Sequence, residues 1–326
     1  MSHVALILSL SIAAFADDKQ TAPKPLAAPF TKVEAEKARA DWTKHLNIPE
    51  RKSLDLGKGE KLELILIPPG KFKMGSPATE REYVFKQFNV EIKGEVEREV
   101  AISKPFYLAI TETEQRHYEM ILGPARNISW FNPTGRGRER IRGVDTTRCP
   151  AERVTWNDAH DFCEALNERL SGKLKARLPS EAEWEYACRA GTTTPFHFGS
   201  ALNGDEANCM GSSLPYGVEK KGPFLERTVP VKSHAANAFG LFDMHGNVWE
   251  WCIDLYGEET KSLGAIDPLR TTKVQKNLRV LRGGAWDVAP YQCRSSSRAF
   301  AAPDRRDNAY GFRICVPIEM PNAKGE

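Results

Sequence analysis

The segment Gly240–Trp251, GLFDMHGNVWEW, holds the densest group of side chains that could bind a metal ion. Asp243 and Glu250 carry carboxylates, and Gly240 and Gly246 permit the backbone conformations of a tight loop. A hard cation such as calcium is bound by several carboxylate and carbonyl oxygens of one flexible loop. We therefore expect either a calcium site here or a loop in which the carboxylates accept hydrogen bonds from backbone N–H groups.

Thiol chemistry is the second possibility, because the chain has seven cysteines. In an oxidising compartment some of them would form disulfides, and the odd number leaves at least one free in a monomer. No CxxC motif and no cysteine–histidine spacing typical of a zinc finger occurs, so structural zinc is not expected. The cysteines are Cys149, Cys163, Cys188, Cys209, Cys252, Cys293 and Cys315.

Three tryptophans could form the wall of a ligand-binding cleft. Trp249 and Trp251 point to the same side if their segment is extended, and Trp286 follows a glycine pair further along, beside Asp287. Paired indoles line either a core or a cleft. We expect a cleft here, with the core as the alternative.

Five further segments carry a family resemblance: LELILIPPGKFKMGS from Leu62, VTWNDAHDFCEAL from Val154, RLPSEAEWEYACRAGT from Arg177, LRGGAW from Leu281 and YGFRIC from Tyr310. In motif and in order they resemble the formylglycine-generating-enzyme family, also called sulfatase-modifying factors. The resemblance covers roughly residues 62–315. It implies an α+β, C-type-lectin-like fold with few helices, short antiparallel strands and much ordered coil.

The resemblance also implies calcium ligands. Asp243 and Glu250 would bind one calcium ion through their side chains, and Gly246 and Val248 through their carbonyl oxygens. A second family site would use Asn208. Its remaining ligands would be the carbonyl of Cys209 and a carboxylate at position 223, which is a proline here, so we do not expect this second site to be complete.

The family's enzymes oxidise a cysteine of a sulfatase to formylglycine, using molecular oxygen and copper(I) held by two cysteine thiolates. Soft thiolates suit this soft ion. After the glycine pair Gly283-Gly284, the two thiolate positions correspond to Val288 and Cys293, so only the second is a cysteine. Ala285 replaces the family's active-site serine. The resemblance thus implies sulfatase activation, while the residues predict weak or absent activity by the copper route.

Cys293 has a second possible use. The family commonly ties the helix carrying Cys188 to the closing region by a disulfide, so Cys188–Cys293 is one expected pair, with a free catalytic Cys293 as the alternative. Cys163 with Cys315 is the next candidate pair, although Cys315 lies one residue out of the family's register.

The first residues predict export. Val4–Ala16 is an uncharged apolar run that ends in Ala-Phe-Ala, a pattern typical of signal-peptidase cleavage, and it is too short to span a bilayer. We expect a signal peptide at 1–16, a linker with a short helix at 17–60, the main domain at 61–318 and a tail at 319–326. The mature protein would be secreted, periplasmic or part of the cell envelope, with no transmembrane anchor.

Several elements can be placed in advance. Ser180 with Glu183 forms a capping box and predicts a helix that ends at Gly191, and Asn157 predicts a second helix cap. Two strands, 62–67 and 71–74, are expected to form a hairpin. The acidic run Glu181–Glu185 is expected on a solvated helix face. The segment from 191 to 278 lacks periodicity, and we expect a metal ion or a disulfide to hold it.

Two functions remain open. A net charge of +3 is too small to favour nucleic acid. The first hypothesis is an exported family member that acts on a peptide or a sulfatase-like protein. The second is a non-catalytic, calcium-stabilised module that uses the same cleft to bind a peptide or another ligand.

Overall fold

The computed structural model describes residues 21–260, 263–272 and 277–320. The predicted signal peptide at 1–16 and the last six residues of the predicted tail lie outside the described residues. Within the described ranges no helix is long and apolar enough to cross a membrane.

The architecture is α+β, as predicted, with five α-helices and eleven short strands among the described residues. The helices are α1 (Lys32–Leu46), α2 (Ala78–Phe88), α3 (Gln115–Leu122), α4 (Trp156–Arg169) and α5 (Glu181–Arg189). The strands are β1 (Leu26–Ala27), β2 (Arg51–Gly57), β3 (Glu60–Ile67), β4 (Gly70–Met74), β5 (Arg98–Ile102), β6 (Phe106–Ala109), β7 (Trp249–Leu255), β8 (Arg279–Arg282), β9 (Arg298–Ala301), β10 (Tyr310–Gly311) and β11 (Cys315–Pro317).

The strands form three sheets, in the orders β1-β4-β5, β10-β7-β8-β9 and β11-β6-β3-β2. Most neighbours are antiparallel, while β1–β4 and β10–β7 are parallel. β11, the last of the described strands, pairs with β6, so one sheet combines strands from the first half of the chain with a strand near residue 316.

The predicted hairpin of residues 62–67 and 71–74 is not formed. β3 pairs with β2 and β6, and β4 pairs with β1 and β5. Pro68 and Pro69 separate the two strands, and the chain uses this turn to pass from one sheet to another. Periodicity identified both strands but could not identify their partners.

The region expected to be a linker with a helix is packed into the domain. α1 begins at a capping box formed by Thr31 and Glu34, and its Trp42 is buried in the main core. β2 follows and pairs with β3, with Leu54 opposite Leu62. The folded domain therefore starts before residue 61.

The predicted cap of α5 is confirmed. The side chain of Ser180 accepts a hydrogen bond from the N–H of Glu183, and the carboxylate of Glu183 accepts one from the N–H of Ser180. α4 begins two residues earlier than expected. Thr155 is its N-cap and forms a capping box with Asp158, so Asn157 lies within the first turn.

Buried side-chain amides hold the long irregular segment after α5. The amide nitrogen of Asn237 donates to the carbonyl of Ala187 at 2.8 Å, and its oxygen accepts from the N–H groups of Phe239 and Leu241 at 3.0 and 3.1 Å. Such contacts satisfy buried backbone groups that no strand or helix pairs. All seven cysteines are free thiols in the structure, so the expected disulfide staple is not formed there.

The acidic run at the start of α5 does not lie on a solvated face, contrary to expectation. Glu181 and Glu185 are 3% and 1% exposed. Arg298 binds Glu181 through Nε at 2.5 Å, and Glu185 pairs with Arg282 and, at 2.9 Å, with Arg189. Two of these arginines come from β8 and β9, so local sequence could not predict the burial.

Candidate functional site

Asp243 lies at a strained turn and has one oxygen available for a ligand. Its φ is +55°, a left-handed conformation that is uncommon for residues other than glycine. Its Oδ2 accepts a hydrogen bond from the N–H of Lys232 at 2.7 Å. Its Oδ1 is buried and accepts no hydrogen bond from the described residues, with His234 Nδ1 3.9 Å away.

Glu250 is fully buried in β7 and uses both of its oxygens. Arg313 donates from Nε to Oε2 and from Nη2 to Oε1, each at 2.7 Å, and Trp184 Nε1 donates to Oε2 at 2.8 Å. The carboxylate is therefore already neutralised by a protein cation.

A third carboxylate, Glu112, belongs to the same buried group, and sequence reasoning missed it. Its Oε2 accepts from Asn247 Nδ2 at 2.7 Å and its Oε1 from the N–H of Val248 at 3.1 Å. Burial, followed by the negative charges of Asp243 and Glu250, raises the pKa of Glu112 well above its usual range. Its neighbours along the chain are polar, and no local signal marks it as part of the loop.

The loop fits a calcium ion in part. Asp243 supplies an unused buried oxygen, and the carbonyls of Gly246 and Val248 lie in the same loop, whereas Glu250 is engaged by Arg313. Across the described residues no three side chains of His, Cys, Asp or Glu converge as a metal site would require. A cation bound here would therefore depend on backbone carbonyls.

The proposed second calcium site has no carboxylate in place. Asn208 donates to Asn247 Oδ1 at 3.1 Å and to the carbonyl of Arg227 at 3.0 Å. Glu226, the acidic residue nearest in sequence to the predicted ligand position 223, pairs with Arg140 at 3.0 Å and is exposed. Asn208 acts as a hydrogen-bonding brace in this structure, and its role as a calcium ligand stays a prediction.

The predicted thiol position, Cys293, is closed off from solvent. Its side chain is 0% exposed, and Ala285 is equally buried. The backbone of Gly284, with φ +77°, packs directly against the sulfur and leaves no room for a β-carbon. Val288 packs against the same apolar cluster. Because position 288 is a valine, the position that the family resemblance indicates supplies no second thiol.

A second thiol does come from elsewhere, because Cys209 contacts Cys293 through its side chain. Burial, followed by this contact, raises the pKa of Cys293 well above its usual range. Both belong to one apolar cluster, which α2 covers with Val84. The sequence shows no spacing that would pair cysteines so far apart.

Aromatic rings close this cluster from outside. Phe88, the last residue of α2, stacks on Tyr291 with ring centroids 4.9 Å apart and on Tyr216 at 6.0 Å. Tyr83 meets Tyr216 edge to face at 4.9 Å. α2 thus forms a lid over the two thiols, and its existence was not predicted.

Polar groups surround the sulfur of Cys188. It lies 3.6 Å from the carbonyl of Met244, 3.7 Å from His245 Nε2 and 3.7 Å from Ser295 Oγ. His245 Nδ1 lies 2.7 Å from the carbonyl of Cys293 and must donate to it. The imidazole contacts both predicted partners, and burial holds its pKa well below the usual range. The disulfide Cys188–Cys293 stays a prediction.

Cys163 and Cys315 are likewise free and buried. The sulfur of Cys315 lies 3.9 Å from Glu183 Oε2. This pair also stays a prediction.

The three tryptophans lie in the main core. Trp249, Trp251 and Trp286 are 5%, 0% and 6% exposed. Trp251 Nε1 donates to the carbonyl of Val154 at 2.8 Å, and Trp286 Nε1 to that of Asn308 at 3.1 Å. The indoles serve packing in this structure, and their role as a cleft wall stays a prediction.

Asp287 is a half-buried carboxyl next to this core. Its Oδ1 is buried without a hydrogen-bond partner among the described residues. Burial, followed by the charge of Asp307, raises its pKa to about 6. A raised pKa of this kind is common among functional carboxyls, and the role of Asp287 in a cleft stays a prediction.

A large open cavity lies elsewhere, over the face of the sheet β1-β4-β5. It has a volume of about 780 Å³, which is in the range of ligand pockets. Its wall is mainly apolar, and none of the predicted site residues lines it. Apolar contacts come from Ala27, Ala28, Phe72, Val100, Ala101 and Ile266, and charges from Lys71, Lys73, Glu97, Glu99 and Arg189.

Comparison with known proteins gives consistent matches. Residues 54–318 match the family described as sulfatase-modifying factor enzyme 1-like domain. The inactive C-alpha-formylglycine-generating enzyme 2 of Bos taurus is 26% identical over 308 residues, which cover 82% of this chain and 92% of that protein. The formylglycine-generating enzyme of Streptomyces coelicolor is 33% identical over 206 residues, 60% of each chain.

A solved structure, PvdO from Pseudomonas aeruginosa, is similar with a TM-score of 0.64 and 26% identity, over 82% of this chain and 98% of that one.

Proposed function

The chain belongs to the sulfatase-modifying factor enzyme 1-like family, with its C-type-lectin-like fold, and from this premise we propose that it binds a cysteine-containing peptide of a sulfatase-type partner without oxidising it by the two-cysteine copper route. The observation that carries the proposal is the closed state of Cys293. A thiol that is 0% exposed beneath an aromatic lid cannot meet a substrate thiol without rearrangement.

The residue at position 288 supports the same conclusion. The family's copper mechanism needs thiolates at the positions of Val288 and Cys293, and a valine side chain has no metal-binding atom. The residues present therefore do not fit a copper ion at this pair of positions. The bovine relative named as inactive matches this chain over 92% of its own length, which is compatible with a non-catalytic member.

The cavity over the sheet β1-β4-β5 supports peptide binding. Its wall combines an apolar surface with charges at the rim, the combination that fixes both affinity and orientation. Ile266 is 67% exposed at this cavity. Glu99 is exposed and has no ion-pair partner among the described residues, whereas its neighbour Glu97 pairs with Lys73 at 3.1 Å. The arginine of a Cys-x-Pro-x-Arg peptide would pair with Glu99.

Fluorescence anisotropy with a labelled Cys-x-Pro-x-Arg peptide tests the binding site. Ile266→Ser removes apolar contact area from the cavity and is expected to weaken binding several-fold, whereas Leu269→Ser is the matched control because Leu269 is exposed but outside the cavity. Glu99→Gln is expected to weaken binding up to about fivefold, as for an exposed ion pair. Equal affinity in all variants would exclude this cavity as the site.

Sulfatase activation is the second candidate, because Cys209 gives Cys293 a thiol neighbour. The test is conversion of the peptide cysteine to the aldehyde in the presence of Cu(I) and oxygen, followed by mass spectrometry. The binding function predicts no conversion. Conversion that disappears in Cys293→Ser would instead make the chain an enzyme.

We also propose that the loop at Asp243 binds calcium through this carboxylate and the carbonyls of Gly246 and Val248. When bound, the ion would stabilise the loop. The unused buried Oδ1 of Asp243 supports this assignment.

Export remains part of the proposal. The mature chain would begin near Asp17, and recovery of intact Met1 from the native host would contradict it.

A further inference from the structure

Cys209 and Cys293 are two thiols in contact within one apolar cluster. They are 1% and 0% exposed, and their side chains meet although 84 positions separate them in the sequence. Cys293 is thereby in contact with a different cysteine from the one that family resemblance predicts. Two neighbouring thiols can be oxidised to a disulfide, whereas a single thiol lacks the partner that this reaction requires.

Cys188, the disulfide partner of Cys293 that the family resemblance predicts, contacts other groups. Cys188 is surrounded by the carbonyl of Met244, the imidazole of His245 and the hydroxyl of Ser295, each within 3.7 Å of its sulfur. A Cys188–Cys293 bond would have to displace these groups. A Cys209–Cys293 bond needs no such exchange, because the two side chains are neighbours in one apolar cluster.

The backbone around the pair is held in place from both sides. The N–H of Met210 donates to the carbonyl of Val288 at 2.9 Å, and the carbonyl of Asn208 accepts from the N–H of Asn247 at 2.8 Å. Gly284 packs against the sulfur of Cys293 from the other side. The segments carrying the two cysteines are therefore already ordered relative to each other. Formation of a disulfide between them costs little further conformational entropy.

We propose that Cys209 and Cys293 form a reversible disulfide, which fastens the long irregular segment after α5 to the segment between β8 and β9. The bond takes Cys293 out of thiol chemistry while it persists. The inference goes beyond the proposed peptide binding and does not rest on it, because the cavity over β1-β4-β5 contains neither cysteine.

The chemistry is thiol–disulfide exchange with a low-molecular-weight disulfide such as oxidised glutathione. Because both thiols are buried beneath α2, the exchange requires this helix to open transiently. One cysteine thiolate then attacks the glutathione disulfide, forming a mixed disulfide and releasing one glutathione thiolate. The second cysteine thiolate then attacks the protein sulfur of the mixed disulfide and releases the second glutathione. The two protons lost by the cysteines pass to the two glutathione thiolates, so one disulfide replaces another.

The full chain, equilibrated in glutathione buffers from both the reduced and the oxidised side, tests the proposal. At the glutathione redox poise of an oxidising compartment, alkylation and peptide mapping should recover one cross-linked peptide joining 209 to 293. Five of the seven cysteines should then remain alkylated as free thiols. Seven free thiols at this poise, or a cross-link from 293 to 188, would overturn the proposal.

Thermal melting gives a second readout. A disulfide that closes a loop of this length restricts the unfolded chain and is expected to raise Tm by roughly 5 °C on oxidation. Cys209→Ala should abolish this shift, and Cys188→Ala is the matched control that should retain it. If Cys209→Ala does not fold, the peptide map of the unmodified chain still decides. A shift that persists in Cys209→Ala would contradict the assignment.

Discussion

Arg313 binds both carboxylate oxygens of Glu250, with Nε 2.7 Å from Oε2 and Nη2 2.7 Å from Oε1. The arginine side chain is 0% and the glutamate side chain 1% exposed. In the low-dielectric interior an unpaired charge carries a large desolvation penalty, so each of the two charges is stabilised by the other. The loop that the sequence marks as a calcium site therefore gives one of its two carboxylates to a protein cation.

Replacing Arg313 by methionine is expected to leave Glu250 charged, buried and unpaired. Loss of one partner of a buried ion pair costs about 3–5 kcal/mol of unfolding free energy, which urea denaturation would measure. The double variant Arg313→Met with Glu250→Gln removes the unpaired charge while Trp184 keeps an acceptor, so it should recover part of the loss. Equal destabilisation of the single and the double variant would contradict an energetic role for the pair.

Calcium removal is expected to lower the melting temperature of the full chain by several degrees, since a ligand bound only to the folded state stabilises it. Asp243→Asn keeps an oxygen for the N–H of Lys232 but removes the negative charge at Oδ1, so the chelator effect should disappear. Asp205→Asn, at an exposed carboxylate outside the loop, is the control. An identical melting curve with and without chelator would argue against structural calcium.

Glu152 makes stability depend on pH. Its Oε1 accepts from the N–H of Phe131 at 2.8 Å, its Oε2 has no partner among the described residues, and burial raises its pKa from 4.5 to about 8. Because the folded state holds the proton more tightly, the stabilisation is complete below pH 4.5 and is lost as the pH rises through about 8.

Glu152→Gln imitates the protonated form at every pH. Its unfolding free energy should therefore rise relative to that of the unmodified chain between pH 5 and 9, by a few kcal/mol at most. Denaturant unfolding across this range gives the difference directly, and other titrating groups cancel in it. A constant difference between the two proteins would show that Glu152 does not titrate with folding.

Val288→Cys restores the thiol position that the family's copper site uses. In a Cys209→Ser background and under reducing conditions, this variant should bind Cu(I) at least about tenfold more tightly than its parent, because a second thiolate becomes available. Competition with a chromogenic Cu(I) chelator measures the affinity. Val288→Ser is the matched control, and the same affinity in both variants would mean that position 288 does not face Cys293.

The sequence predicted those elements whose own residues mark them, through a helix cap or through apolar spacing. The capping box of Ser180 and Glu183 fixes the first turn of α5, and apolar spacing identifies β3 and β4. The pairing of those strands could not be predicted, since a strand's partner depends on the whole sheet. α2 was missed for a local reason: its N-cap, Pro77, has no side-chain hydrogen bond to mark the helix start.

The candidate site shows the same limit. The sequence indicated the loop from 240 to 251 as a candidate site, and both of its carboxylates are buried in the structure. Its decisive partners, Arg313 and Glu112, come from distant segments, and nothing in the local sequence indicates that they contact this loop. The contact between Cys209 and Cys293 likewise arises from tertiary packing. Residue types identified the chemistry available, but only the fold shows which groups meet.

The pairing of β11 with β6 has a consequence for protein synthesis. During translation β6 emerges 206 positions ahead of its partner, residues Cys315–Pro317. Until then one edge of the sheet is an unpaired template for other strands. The sheet can therefore be completed only after residue 317 has left the ribosome, and a stop codon before position 315 would yield a product with a permanently open edge.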